Sequence, residues 1–178
     1  IFYKTDQHWL PEVSEYTANF VASKLAPMVA PDPKYIPFQK TPNPEKRAGD
    51  MVGLVSGDKC KSLANETYNV SLWKKSTQPA LEETKLAVVG NSFTNPYLGF
   101  PQSLANALKT DVDLHWNYGD VGPWKNMLLY LQSDNFKDNK PKVILWEMNE
   151  SNLLHSPDSP SIWKQGSSLP VDHFKAQV

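Results

Sequence analysis

The sequence predicts an α/β fold with a parallel β-sheet flanked by helices, and the pattern that predicts it lies in the second half of the chain. Three short apolar runs, at about residues 85–90, 111–117 and 142–147, have the length and β-branched content of buried strands. Two stretches with apolar residues at helical spacing, FPQSLANALK and WKNMLLYLQSDNF, lie between them. Strands that alternate with helices are typical of a parallel sheet with right-handed crossovers.

The composition is that of a soluble globular protein and excludes some classes of partner. The chain has 178 residues, of which 40% are apolar and 21% are charged, and its net charge is -1. Acidic and basic residues are interspersed, so the clustered basic surface that binds nucleic acid is not expected. The apolar runs are shorter than the roughly 18 to 20 residues that a membrane-spanning helix needs. We therefore expect a soluble domain that binds no nucleic acid.

The first 84 residues are less regular. PEVSEYTANFVASKL has apolar residues at helical spacing behind Pro11, which suits the first turn of a helix. The proline-rich stretch that follows, residues 26–50, predicts an extended surface loop. MVGLVSG and ETYNVSLW have the content of two short strands, which makes residues 30–84 an insertion or loop region. We expect a domain from residue 1 to 155, followed by a tail or loop from 156 to 178.

A serine directly follows the first predicted strand of the sheet. Gly90, Asn91 and Ser92 come after KLAVV and before a predicted helix. Such a turn displays a nucleophilic hydroxyl at the carboxyl edge of a sheet, where backbone N–H groups can stabilise an oxyanion. The G-x-S-x-G motif is incomplete because Thr94 replaces its second glycine. The alternative is that Ser92 only satisfies backbone groups in a turn.

Asp6 and His8 lie one residue apart near the start of the chain, and three interpretations compete for them. They would be metal ligands, or an orienting carboxylate with a general base, or a structural pair. The spacing lets the carboxylate hold one ring nitrogen while the other faces a nucleophile. A metal would need a third ligand, and neither His115, in a predicted strand, nor His155 and His173, near the end, belongs to a metal-binding pattern.

Four segments together resemble a known family. TDQHW, GNSF, NYGDVGPWKNMLLYLQS and VILWE look like the SGNH-hydrolase-like domain of the bacterial alginate O-acetyltransferases, periplasmic proteins that acetylate exopolysaccharide. As in that family, Asp-x-His precedes the serine, the reverse of the order in ordinary SGNH esterases. The resemblance runs from residue 3 to about 154 and is weakest over residues 30–84. It implies a three-layer SGNH-hydrolase-like fold. It also implies an incomplete domain, because family members carry a segment before this motif.

The resemblance also implies a role for each site residue. Ser92 would be the nucleophile, His8 the general base and acid, and Asp6 the residue that orients His8, with Gly122 and Asn149 completing an oxyanion hole. The implied reaction moves acetyl to a polysaccharide acceptor such as alginate, in the periplasm, without a metal or other cofactor. The acetyl donor would be delivered by a membrane partner protein. Two alternatives remain open: a carbohydrate acetylesterase and a non-catalytic polysaccharide-binding domain.

Overall fold

A computed structural model describes residues 1–54, 65–76 and 83–154. Over these residues the strands are β1 (Gln39–Ala48), β2 (Asn65–Lys74), β3 (Leu86–Gly90), β4 (Val112–Trp116) and β5 (Val143–Trp146). The α-helices are α1 (Pro11–Leu25), α2 (Phe100–Leu108), α3 (Pro123–Gln132) and α4 (Asp134–Asp138). Short 3₁₀ helices lie at Asp50–Leu54, Ser92–Thr94, Pro96–Leu98, Gly119–Val121 and Glu150–Leu154.

The central sheet contains three parallel strands in the order β4-β3-β5. β3 pairs with β4 from Leu86 to Gly90 and with β5 from Leu86 to Val89. All five residues of β3 are buried, because the strand has a neighbour on each side and helices on both faces. The predicted α/β fold is confirmed, and the carboxyl ends of the three strands meet at one edge.

Side chains of β3 alternate between two cores, which gives the molecule three layers. Leu86 and Val88 pack among buried residues of α1 and α2 on one face. Ala87 and Val89 pack on the other face against α3, where Met127 is also buried. Successive residues of a strand point to opposite faces, so a continuous apolar run is what a sheet covered on both sides requires.

The first helix fixes the position of the chain's N-terminal motif. α1 starts at Pro11, whose ring suits the first turn, and it buries Ala18, Ala22 and Leu25 in the core that it shares with α2. Trp9, directly before the helix, packs against the same core. The Asp-x-His segment is therefore held where α1 begins, close to the start of α2.

The region between α1 and the sheet differs from the prediction. β1 and β2 form an antiparallel hairpin in register from Gln39 with Lys74 to Ala48 with Asn65. ETYNVSLW is a strand, as predicted, but its partner is the proline-rich stretch that we expected to be a surface loop. The prediction of a strand at MVGLVSG is also wrong, because Asp50–Leu54 form a 3₁₀ helix. Residues 55–57 lie outside the described residues.

The helical pattern after β4 is interrupted once. WKNMLLYLQSDNF was expected to be one helix, but α3 ends at Gln132 and Ser133 has an extended backbone, with ψ 151°. The Ser133 hydroxyl then accepts a hydrogen bond from the N–H of Phe136 at 3.1 Å and caps α4. The expected tail at residues 156–178 lies outside the described residues.

Candidate active site

Asp6 and His8 form a tight turn closed by the carboxylate. The Asp6 Oδ1 atom accepts the backbone N–H of His8 at 2.9 Å and lies 2.6 Å from Nδ1 of the same residue. The flanking chain folds back on itself, since Tyr3 N donates to the carbonyl of His8 at 3.2 Å and Leu10 N donates to that of Ile1 at 2.9 Å. Short Asp side chains favour such turns because they can bind the backbone two residues ahead.

Ser92 begins a 3₁₀ helix directly beyond β3. The side chain of Asn91 accepts the N–H of Phe93 at 2.9 Å, which fixes the first turn after the strand. Gly90 is needed here, because a Cβ atom at this position would lie 2.5 Å from Oγ1 of Thr94. Thr94, which stands where the hydrolase motif has glycine, is buried, and its hydroxyl donates to the carbonyl of Asn91 at 2.9 Å.

The structure brings Asp6, His8 and Ser92 into one hydrogen-bonded chain. The Nε2 atom of His8 lies 2.8 Å from the Ser92 hydroxyl, although 84 positions separate the two residues. Burial raises the pKa of the Asp6 carboxyl, but hydrogen bonds and charge from His8 more than offset this, so the pKa lies below its usual value. An ionised Asp6 can only accept, so the ring proton is on Nδ1 and the free Nε2 accepts a hydrogen bond from the Ser92 hydroxyl.

Two residues of β2 that sequence reasoning left out of the site also reach the Asp-x-His turn. The Tyr68 hydroxyl on β2 donates to Oδ2 of Asp6 at 3.2 Å. On the same strand, the Glu66 carboxylate accepts the N–H groups of Lys4 and Thr5 at 2.9 and 3.0 Å. These contacts span 61 or 62 positions, and no local motif marks either residue. These two residues could be recognised only by knowing that β2 packs against the start of the chain.

Asp50 is the third acidic or histidine residue near the turn. Its Oδ2 atom lies 3.9 Å from Nδ1 of His8, and all three side chains of Asp6, His8 and Asp50 offer atoms within 4.8 Å of one another. Two metal ligands at about 2.1 Å from an ion in tetrahedral geometry would stand more than 3 Å apart. The 2.6 Å between Asp6 and His8 suits a hydrogen bond instead. Asp50 itself accepts both the N–H and the side-chain amide of Gln7, at 3.0 and 2.8 Å.

The other histidines are placed away from this cluster or are not described. His115 lies within β4, where burial lowers the pKa of its imidazole. His155 and His173 lie outside the described residues.

The two expected oxyanion residues differ in their positions. Asn149 lines the same cavity as Ser92 and His8, and its side chain is exposed. Gly122 lines a neighbouring small cavity instead, and its N–H donates to the carbonyl of Gly119 at 3.2 Å. Gly119 lines the Ser92 cavity, and within the described residues the N–H groups of Ser92 and Gly119 have no acceptor. Of the two glycines, Gly119 is therefore the one with an unused N–H at the wall of the Ser92 cavity.

The cavity around Ser92 has a volume of about 980 Å³ and is open to solvent. Its walls combine the turn residues with Tyr97, Tyr118 and Asn149. Tyr118 is 69% exposed, and such aromatic rings offer flat faces on which sugar rings stack. Its volume lies at the upper end of the range of small-molecule binding sites.

Glu147 supports the serine turn from the end of β5. Its Oε2 atom accepts the N–H of Asn91 at 2.8 Å. Burial raises the pKa of the Glu147 carboxyl above its ordinary value, and the hydrogen bond from Asn91 offsets only part of that rise. Asn91, the residue directly before the serine, is therefore held in place by the side chain that follows β5.

Comparison with known proteins identifies the family. Residues 1–150 match the model of the AlgX-type SGNH hydrolase-like domain, described as acetyltransferase AlgX. The chain belongs to this family. The predicted resemblance to the alginate O-acetyltransferases is thereby confirmed, and it extends over the parallel sheet, α1 and the Asp-x-His turn.

Individual relatives are similar over most of the chain. The probable alginate O-acetylase AlgJ of Pseudomonas fluorescens is 30% identical over 212 aligned positions, which cover 100% of this chain and 52% of that protein. The O-acetyltransferase domain of Pseudomonas putida AlgJ superposes with a TM-score of 0.77 at 28% identity, covering 100% of this chain and 62% of that one. Pseudomonas aeruginosa AlgX shares the fold, with a TM-score of 0.64 at 19% identity over 83% of this chain and 36% of that one.

The chain spans about half the length of the curated relatives it matches, with 52% and 45% of two AlgJ proteins covered. Among the described residues, the helices are all too short or too polar to cross a membrane.

Proposed function

We propose that this AlgX-family chain carries the catalytic centre of an O-acetyltransferase that acetylates an extracellular polysaccharide such as alginate. The observation that supports it is the hydrogen-bonded chain from Asp6 through His8 to Ser92 at the wall of an open cavity. This is the arrangement that activates a serine hydroxyl for acyl transfer on unrelated folds.

In the first half of the reaction, Ser92 takes the acetyl group from its donor. The Ser92 oxygen attacks the acetyl carbonyl carbon while its proton passes to Nε2 of His8. The tetrahedral intermediate then collapses, the bond to the donor breaks, and His8 returns the proton to the leaving oxygen or sulfur. Asp6 stabilises the imidazolium that forms in between, because its carboxylate lies 2.6 Å from Nδ1.

In the second half, a sugar hydroxyl resolves the acetyl-enzyme. His8 removes the hydroxyl proton, the sugar oxygen attacks the acetyl carbon, and the proton then passes to Ser92 as its ester bond breaks. The negative oxygen of both intermediates is stabilised by the N–H groups of Ser92 and Gly119, with the exposed amide of Asn149 as a third donor. We choose Gly119 rather than Gly122 because the N–H of Gly122 donates to the carbonyl of Gly119 within the 3₁₀ turn.

Family membership also supports a proposal for the biological setting. We propose that the reaction takes place in the periplasm, and that a membrane partner protein delivers the acetyl donor. No metal or nucleotide enters any step, since the proton transfers and the charge are handled by the residues above.

Two other functions use the same geometry differently. A carbohydrate acetylesterase would admit water to the acetyl-enzyme in place of a sugar hydroxyl. A polysaccharide-binding domain without turnover would use the cavity and Tyr118 but not Ser92. The family match supports the transferase over both.

The deciding experiment supplies an activated acetyl ester and an alginate oligosaccharide to the wild-type chain and to Ser92→Ala. Transfer predicts an acetylated oligosaccharide that exceeds free acetate, and no product from Ser92→Ala. Release of acetate alone would identify an esterase, and equal activity in both chains would refute the serine mechanism.

A further inference from the structure

The β1–β2 hairpin holds the Asp-x-His turn from the side opposite to the serine. Glu66 on β2 receives the N–H groups of Lys4 and Thr5, and the Thr5 hydroxyl donates to the same carboxylate at 3.3 Å. Two residues along the strand, on the same face of β2, Tyr68 reaches Asp6. The hairpin thus binds both the backbone that leads into the turn and the carboxylate at its centre.

Tyr68 itself is completely buried, with 0% of its surface exposed. Its ring stacks on that of Tyr3, with the ring centroids 3.9 Å apart. Val70 and Leu98 are buried in the same cluster. A ring packed in this way has little freedom to rotate, so its hydroxyl is held in one place.

The carboxylate of Asp6 has two oxygens with separate partners. Oδ1 binds His8 through both the backbone N–H and Nδ1, and Oδ2 receives Tyr68. Without a partner on Oδ2, rotation about the bond to the carboxyl carbon would be restrained only by His8. A second donor fixes the plane of the carboxylate and hence the direction from which it meets the imidazole.

We propose that Tyr68 is a positioning residue of the acetyl-transfer site, which holds Asp6 so that its carboxylate orients His8 toward Ser92. The inference rests on the proposed function of this triad. It makes the hairpin, which lies outside the parallel sheet, part of the catalytic apparatus. Tyr68 touches no substrate and acts only through Asp6.

The hydroxyl is suited to this task over a wide pH range. Burial raises the pKa of Tyr68, and the negative charges of Asp6 and Glu66 raise it further, while a hydrogen bond with Thr5 acts in the opposite direction. Tyr68 therefore remains a protonated donor at neutral pH, where Asp6 is ionised.

The test replaces Tyr68 by phenylalanine, which keeps the stacked ring and removes only the hydroxyl. We expect kcat to fall on the order of 10-fold with KM unchanged, since Asp6 is still present but less well oriented. We also expect the pKa of the Asp6 carboxyl to rise, because one donor to its ionised form is lost. A carbon NMR titration of the full chain, labelled at its aspartate carboxyls, measures that rise without substrate.

Tyr130→Phe is the matched control. The Tyr130 hydroxyl is also buried and also donates to an aspartate, Asp113 Oδ2 at 3.0 Å, but it belongs to the core on the other face of the sheet. Tyr130→Phe should lower the thermal stability about as much as Tyr68→Phe does. It should leave both kcat and the Asp6 titration unchanged.

The outcomes separate this inference from the proposed function. If Tyr68→Phe matches Tyr130→Phe in kcat and in the Asp6 titration, Tyr68 is only a core residue and the inference is refuted. If the wild-type chain transfers no acetyl group, the proposed function is refuted, whatever the titration of Asp6 shows. A lower kcat with a raised Asp6 pKa in Tyr68→Phe alone supports the inference.

Discussion

At the level of single residues, the proposed acetyl transfer depends on three side chains that act as a unit: Asp6, His8 and Ser92. In the proposed mechanism, His8 acts as a base only on the Ser92 hydroxyl, and Ser92 loses its proton only to His8. Their 2.8 Å contact joins residues that lie 84 positions apart along the chain. Activity should therefore depend on the pair rather than on either residue separately.

We expect His8→Ala and Ser92→Ala each to abolish most acetyl transfer, and the double variant to lose little more. A nucleophile without its base and a base without its nucleophile are disabled to a similar degree. Asp6→Ala should be milder, by about 10- to 100-fold, because His8 still acts when it is poorly oriented. Initial rates with an activated ester measure all four variants. Additive losses from His8 and Ser92 would contradict a common mechanism.

A second residue-scale prediction concerns Glu147, whose carboxyl has a raised pKa because it is buried. The folded chain then binds a proton that the unfolded chain releases near its ordinary value of 4.5. The contribution of Glu147 to the free energy of unfolding should therefore be largest below that pH and decrease as pH rises through the folded pKa.

Glu147→Gln keeps an oxygen that accepts the N–H of Asn91 but cannot ionise. Urea unfolding from acidic to neutral pH should show a flatter profile for Glu147→Gln, with equal or greater stability at neutral pH. Lower stability of the variant at neutral pH would show that the charged carboxylate stabilises the serine turn.

At the scale of elements, the hairpin and the N-terminal turn fit closely at Gly49. A Cβ atom on Gly49 would lie 2.0 Å from the carbonyl oxygen of Thr5 and 2.6 Å from the hydroxyl of Tyr68. The chain can bring β1 this near to the Asp-x-His turn only because position 49 carries no side chain.

Gly49→Ala should therefore displace the turn, destabilise the chain by about 1–3 kcal/mol and reduce acetyl transfer. Gly53→Ala is the control. Gly53 lies in the 3₁₀ helix that directly follows Gly49, and nothing lies within 4 Å of a Cβ atom at that position. Thermal unfolding and initial rates of both variants decide the matter. Equal behaviour of the two would mean that the hairpin does not constrain the turn.

The same elements show what the sequence could predict. β3 was recognisable because LAVVG is an uninterrupted apolar run, which follows from burial on both faces. β1 was not, because Pro42 and Pro44 lie within it. The two prolines are two positions apart, and alternate residues of a strand direct their N–H positions to the same edge, so both prolines fit a strand whose missing N–H groups lie on the edge away from β2.

The candidate site divides in a similar way. Asp6, His8 and Ser92 lie in short local patterns, an Asp-x-His turn and a serine directly after a strand, so the sequence alone singles them out. Tyr68 and Asp50 join the site through contacts 62 and 43 positions apart along the chain. Such contacts arise from the packing of the hairpin and leave no periodicity to recognise.

At the scale of the whole molecule, the fold brings three separate regions of the chain to one edge of the sheet. The start of the chain contributes Asp6 and His8, the turn after β3 contributes Ser92, and the hairpin contacts the Asp-x-His turn through Glu66 and Tyr68. The start of the chain and the hairpin share one buried cluster, which contains Tyr3 and Tyr68, and β3 belongs to the two clusters on the faces of the sheet, so the site is assembled from packed parts. Arrangements of this kind favour catalysis that depends on orientation.

In the proposed reaction, Ser92 carries the acetyl group between donor and acceptor. Mass spectrometry of peptides, after brief exposure of the wild-type chain to an activated acetyl ester, tests it most directly. We predict one acetyl group on Ser92, which disappears when an alginate oligosaccharide is added and reappears on the sugar, and no such adduct in His8→Ala. Acetyl transfer by a chain whose Ser92 never becomes acetylated would contradict the account.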